Sequence, residues 1–233
     1  MTSPEPTYIV VGCRPWNRTV FEEEICRLAG RWHYFGEKSE LTYEKVHQIQ
    51  PRYVFFLHWS WIVPVSITGA FECVCFHMTD LPYGRGGSPL QNLIARGHKD
   101  TVITAFRMTE ELDAGPIYLK GPLSLDGSAQ EIYRRATEIS TAMIARIVSD
   151  NPEPTPQTGV ETTFSRRTPT QSLITPDISD LRQLHDHIRM LDAEGYPPAF
   201  ISVGVFTFSF TRSSLEDDGI EATVKIKHEP KEE

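Results

Sequence analysis

Tyr8-Ile9-Val10-Val11-Gly12, with Thr19 to Leu28 behind it, decides the fold class. The first is a short β-branched run stopped by glycine. The second places Val20, Phe21, Ile25 and Leu28 at helical spacing and meets Gly30 as a stop. Together they read as the opening of a strand-loop-helix unit. The alternation continues downstream. Tyr43 to Gln50 predicts a helix ended by Pro51, Tyr53-Val54-Phe55-Phe56-Leu57 a strand buried on both faces, and Glu72-Cys73-Val74-Cys75-Phe76 another strand. Elements alternating in this way predict an α/β fold with a doubly wound, mostly parallel sheet.

Further along, Asp100 to Arg107 predicts a strand. Ser128-Ala129-Gln130-Glu131 is a capping box, in which serine and glutamate three apart satisfy each other's free amides. The helix it opens carries Ile132, Ala136, Ile139, Met143, Ile144 and Ile147 as a core-facing stripe. Asn151 to Gly159 holds Pro152, Pro154 and Pro156, too stiff and donor-poor for regular structure, so a main domain is placed at 1–155 and a small C-terminal helix-and-strand appendage at 156–233. Within the appendage, Asp180 to Leu191 predicts a helix and Val203 to Thr211 a hairpin strand, with a charged, exposed tail from Ser213.

With 39% apolar residues the chain can build a real core. A net charge of −8 argues against a nucleic-acid partner, which asks for clustered Lys and Arg. Cys13, Cys26, Cys73 and Cys75 form no CxxC pair and no cationic-apolar leader opens the chain, so a cytoplasmic location with free thiols is expected. The longest apolar run, Tyr53 to Ala70, is interrupted by His58, Ser60, Pro64 and Ser66, so no membrane contact is expected.

The chemistry concentrates in Cys75-Phe76-His77-Met78-Thr79-Asp80-Leu81-Pro82-Tyr83-Gly84-Arg85-Gly86-Gly87-Ser88-Pro89 and in Glu111-Leu112-Asp113-Ala114-Gly115. His77 emerges at the end of a predicted parallel strand, where open α/β sheets place their ligand crevice, and is a general-base candidate with Asp113 as partner for its ring. Gly84, Gly86 and Gly87 let the backbone approach a ligand closely.

In order and spacing these segments resemble the formyltransferases that use 10-formyltetrahydrofolate, a family patterned Asn-x-His-x-Ser-x-Leu-Pro, then Arg-Gly-x-x-Pro, then a Thr-containing strand leading to Leu-Asp-x-Gly. The counterparts here are Cys75 to Pro82, Arg85 to Pro89, Thr101-Val102-Ile103-Thr104 and Leu112 to Gly115. The resemblance implies a Rossmann-like formyltransferase fold and an N-formyltransferase needing no metal. His77 would stabilise charge or move a proton, and Asp113 would orient it. The third catalytic position, asparagine in the family, falls on Cys75. A thiol is a weak donor, and losing the amide costs roughly 3–4 kcal/mol of transition-state stabilisation if nothing replaces it.

By the same resemblance Leu57, His58, Trp59, Ser60, Trp61 and Ile62, with Leu112 opposite, line the folate pocket. For the acceptor the candidates are Arg14 and Trp16, which follow the first strand at the same sheet edge, where an arginine can meet a phosphate, and Arg85 with Gly86. Fainter likeness in Phe164 to Pro169 and Gly195 to Phe200 favours the sugar-modifying branch. The expected acceptor is therefore a nucleotide-linked amino-deoxy sugar, UDP- or dTDP-linked, of a pseudaminic-acid-type surface-glycan pathway. A methionyl-tRNA formyltransferase, a formyltetrahydrofolate hydrolase and a decayed folate-binding protein are the alternatives, and a homodimer is left open. His185-Asp186-His187 diverge around a helix and make a poor metal set.

Overall fold

The computed structural model describes residues 5–228. Two compact units share the chain: one takes residues up to 86, then 101–123 and 134–163, and the other takes 87–100, 124–133 and the residues from 164 onward. In chain order the helices and strands are β1 (Thr7–Gly12), α1 (Pro15–Glu23), β2 (Arg31–Phe35), α2 (Tyr43–Ile49), β3 (Tyr53–Leu57), α3 (Val65–Thr68), β4 (Cys73–His77), β5 (Arg85–Gly86), α4 (Pro89–Ala95), β6 (Asp100–Arg107), β7 (Ile117–Ser124), α5 (Ala129–Asp150), β8 (Thr163–Phe164), α6 (Leu181–Arg189), β9 (Ala199–Val203), β10 (Phe206–Leu215) and β11 (Ile220–His228).

The first unit is built on a six-stranded sheet of order β2-β1-β3-β4-β6-β7. Strands β1 to β4 pair in parallel, and β6 runs antiparallel to β4, with His77 opposite Thr104. Every residue of β1 and β3 is buried, as continuous apolar runs between helical layers require. Phe55 and Phe56 point to opposite faces and are both fully buried, each stabilising the fold by roughly 1.5–3 kcal/mol. The core on one face joins Ile9, Val11, Val54, Phe56 and Ile67, with Trp59 and Cys75 packed against it.

Local signals set the element ends. Thr42 caps α2 by accepting from the Lys45 N–H, and Gln50 turns left-handed at φ 50° ahead of Pro51. The Ser128–Glu131 box forms reciprocally, Ser128 N–H to Glu131 Oε2 at 2.8 Å and Glu131 N–H to Ser128 Oγ at 3.3 Å. Helix α1 starts earlier than the apolar spacing predicts, because Pro15 is preorganised for the first helical position. It ends at Glu23, and residues 25–27 tighten into a 3₁₀ turn. Strands β2 and β7 escape the sequence reading: both flank the sheet, and β7 contains Gly121 and Pro122, which an edge position tolerates.

In the second unit β9, β10 and β11 form an antiparallel sheet, so the charged tail beyond Ser213 is largely strand. Asp180 caps α6 by accepting from the Gln183 N–H at 2.8 Å. Among the described residues no helix is long and apolar enough to cross a membrane.

Candidate active site

The order β2-β1-β3 reverses the winding at β1, so the crevice between the ends of β1 and β3 is the position where doubly wound sheets take their ligands. Two clusters sit along this end of the first unit.

The first is the histidine pair. His77 closes β4, its side chain about nine-tenths buried. Its Nε2 lies 2.8 Å from the Gly84 carbonyl, which only accepts, so Nε2 carries the ring proton. Nδ1 is then the basic nitrogen, and it faces Asp113 Oδ2 at 3.7 Å. Thr104, the register partner of His77, precedes Asp113 by the end of β6 and a loop, so the loop folds back over the sheet to bring the carboxylate here. Asp113 holds φ 53°, a left-handed conformation that aspartate tolerates, and its Oδ2 accepts from the Gly86 N–H at 2.8 Å. A Cβ on Gly115 would lie 1.8 Å from the Arg107 carbonyl oxygen, so only glycine passes there.

Cys75 shares the His77 face of β4, two residues back. Burial pushes its thiol well above the usual range, and the Asp113 charge adds to this. It is a neutral thiol at pH 7, a weak donor and no thiolate nucleophile. Arg85 is buried and engaged on its own chain: Nε and Nη2 donate to Gln157 Oε1 at 3.2 and 2.9 Å, Nη1 meets Glu111 at 3.2 Å, and Nη2 meets Glu161 at 3.1 Å. Gln157 also donates to the carbonyls of Asp113 and Gly115. Sequence reading does not single out Gln157, which lies in the proline-rich stretch.

The second cluster joins the loops after β1 and β3. Asn17, fully buried, donates from Nδ2 to His58 Nδ1 at 3.1 Å, and the Cys13 thiol donates to the His58 carbonyl at 3.0 Å. Trp16 meets the His58 ring edge-on at 6.0 Å, so Trp16 and Arg14, assigned to the acceptor, share one cluster with His58 and Ser60, assigned to the folate. Burial holds the His58 imidazole down to about 4, with Arg14 adding to the effect. Leu57 is buried at the end of β3.

The apolar side chains a pterin ring would cover are present. Trp61, Ile62 and Leu112 are 41%, 91% and 66% exposed, and the buried Trp59 Nε1 has no hydrogen-bond partner among the described residues. These features fit a flat heteroaromatic ligand with acceptor atoms. A cleft of about 440 Å³ lined by Thr68, Phe71, Glu72, Arg107 and Met108 lies at the other end of β4, away from His77, and plays no part in this site. Among the described residues no cluster suits a metal ion; His185 bonds Ser213 and His187 bonds the Ser172 carbonyl.

A methionyl-tRNA formyltransferase from Clostridium thermocellum has a structure that superposes with a TM-score of 0.91 at 44% identity, over 96% of this chain and 99% of that one. The chain belongs to the formyltransferase family. Residues 169–227 match the model of the C-terminal domain of methionyl-tRNA formyltransferase. The methionyl-tRNA formyltransferase of Macrococcus caseolyticus is 27% identical over 172 residues, 70% of this chain and 54% of its own length. The chain spans about half the length of the curated relatives it matches. A 4-N formyltransferase from Francisella tularensis shares the fold, with a TM-score of 0.67 at 16% identity over 97% of this chain and 98% of that one.

These findings overturn the nucleotide-sugar acceptor, the pseudaminic-acid glycan pathway and the exclusion of a nucleic-acid partner. The strong match is to a protein named for methionyl-tRNA, and the 4-N formyltransferase matches at fold level only. Of the segments that pointed to sugars, Gly195 to Phe200 packs within the second unit: Tyr196 stacks on Tyr133 at 5.3 Å, and Ser172 Oγ donates to the Pro197 carbonyl. Net charge also misled, since a whole-chain sum says nothing of local patches.

Proposed function

We propose that the chain transfers a formyl group from 10-formyltetrahydrofolate to the amino group of methionyl-tRNA. The observation that carries the chemistry is Nδ1 of His77 facing the Asp113 carboxylate at 3.7 Å, with the opposite ring nitrogen tied to Gly84. The acceptor rests on the 44% identical relative.

The folate, when bound, supplies an activated formyl carbon. As the amine bonds to the formyl carbon and the bond from that carbon to folate N10 breaks, the amine must shed a proton, which His77 Nδ1 is placed to take and the departing N10 to receive. The resulting imidazolium would be stabilised by Asp113, itself held by the Gly86 N–H. Cys75, kept protonated by burial, offers a weak S–H donor where the family has an amide. Trp61, Ile62 and Leu112 would cover the pterin.

The test is incubation of the purified protein with 10-formyltetrahydrofolate and methionyl-tRNA, with recovery of formylmethionine after deacylation. Product forming in proportion to enzyme, and lost in His77→Ala, is expected. No product above the uncatalysed background overturns the reading.

A further inference from the structure

We infer that Gln157 is a positioning residue that sets the Asp113 carboxylate against His77, working through a closed ring of hydrogen bonds. The inference rests on the formyl-transfer reading above.

Gln157 lies beyond Pro152, Pro154 and Pro156, in a stretch with no helix or strand of its own, yet its backbone is well placed. Two residues earlier, Thr155 exchanges both backbone hydrogen bonds with Ile117 at the start of β7, at 2.7 and 2.9 Å. From this fastening the Gln157 amide is used at both ends. Arginine only donates and carbonyls only accept, so one amide orientation satisfies all partners: Oε1 receives Arg85 Nε and Nη2, and Nε2 donates to Asp113 O at 2.8 Å and Gly115 O at 2.9 Å.

The ring closes through the next residue. Arg85 precedes Gly86, whose N–H holds Asp113 Oδ2 at 2.8 Å. Gln157 therefore grips both the backbone of Asp113 and the segment that binds the Asp113 side chain. The loop has reason to need the grip, because Asp113 sits at φ 53° and the bond from the Ala114 N–H to the Glu111 carbonyl is long at 3.4 Å. Placement errors of about 1 Å at a reacting group cost on the order of 100-fold in rate.

The test is a double-mutant cycle with Gln157→Glu and Asp113→Asn. Glutamate keeps the acceptor for Arg85 and removes the donors to the loop. Gln157→Glu is expected to lower kcat roughly 10- to 100-fold with KM for methionyl-tRNA changed less than about threefold. The double variant is expected to be no slower than Asp113→Asn alone, since Gln157 acts through Asp113. In the free protein, hydrogen exchange across residues 109–116 should quicken in Gln157→Glu. Multiplicative losses, or a Gln157→Glu enzyme at wild-type rate beside a crippled Asp113→Asn, overturn the inference alone. Unchanged exchange in the loop overturns it too. Wild-type activity in Asp113→Asn sinks the proton-transfer reading and takes this inference with it. If Gln157→Glu fails to fold by urea titration, Gln157→Met, equal in length and uncharged, replaces it in the same cycle.

Discussion

His77 Nε2 and the Gly84 carbonyl oxygen stand 2.8 Å apart, and that single bond places a ring proton on Nε2. It turns Nδ1 toward Asp113. The tautomer is therefore set by a backbone atom seven residues away, and Asp113 is free to act on the protonated form. His77→Ala should lower kcat/KM by at least roughly 100-fold, the lower end for a general base. Asp113→Asn should lower kcat by a similar factor while the protein stays folded, because asparagine tolerates φ 53° and its oxygen still accepts from Gly86. Steady-state kinetics beside a urea titration check both, and near-normal turnover in either removes the proton-transfer role.

Cys75 should be inert toward alkylation. Its thiol is raised by burial and by Asp113 and its residue is partly buried, whereas Cys26 is exposed. Iodoacetamide at pH 8 followed by peptide mass spectrometry should label Cys26 and leave Cys75 unmodified in the native protein. Cys75→Ser should keep activity within a few-fold, since a hydroxyl donates at least as well as a thiol. Rapid labelling of Cys75, or a Cys75→Ser enzyme with no activity, would give the thiol a nucleophilic role that burial argues against.

Why the site was partly readable follows from where its bonds run. β3 and β4 announce themselves as apolar runs, and His77 follows from its place at a strand end. What cannot be read is a bond between distant segments: Gln157 reaches Arg85 across 72 positions and Asp113 across 44, from a stretch whose prolines look like a mere connection. The same holds for Asn17 on His58. Acceptor choice is less legible still, because it depends on pocket shape, and short likenesses such as Gly195 to Phe200 belong to packing.

Arg85→Lys should destabilise the protein by about 1–3 kcal/mol. The guanidinium serves Gln157 through two donors and meets Glu111 and Glu161, and an ammonium cannot reproduce that fork. Glu111 and Glu161 are largely exposed, so most of the loss should come from the amide bonds. Urea unfolding of Arg85→Lys and Glu161→Gln separates the two contributions. Equal losses in both variants would assign the stabilisation to charge instead.

His58 ties stability to mild acid. Its folded value lies near 4, through burial and then Arg14, against 6.5 for the free imidazole. Between pH 6.5 and 4 the unfolded chain binds a proton here that the folded chain does not, so stability must fall as pH falls through this window. The depression corresponds to roughly 3 kcal/mol at most. Above pH 6.5 both states are neutral and the contribution is complete. His58→Asn suits the left-handed φ of 49° and cannot titrate, so its stability should be flatter across the window than that of the wild type. Urea unfolding at half-unit steps from pH 7.5 to 4 measures the difference. Parallel curves for the two proteins would show that His58 protonates freely in the folded state, and that the Asn17 bond to Nδ1 opens without cost.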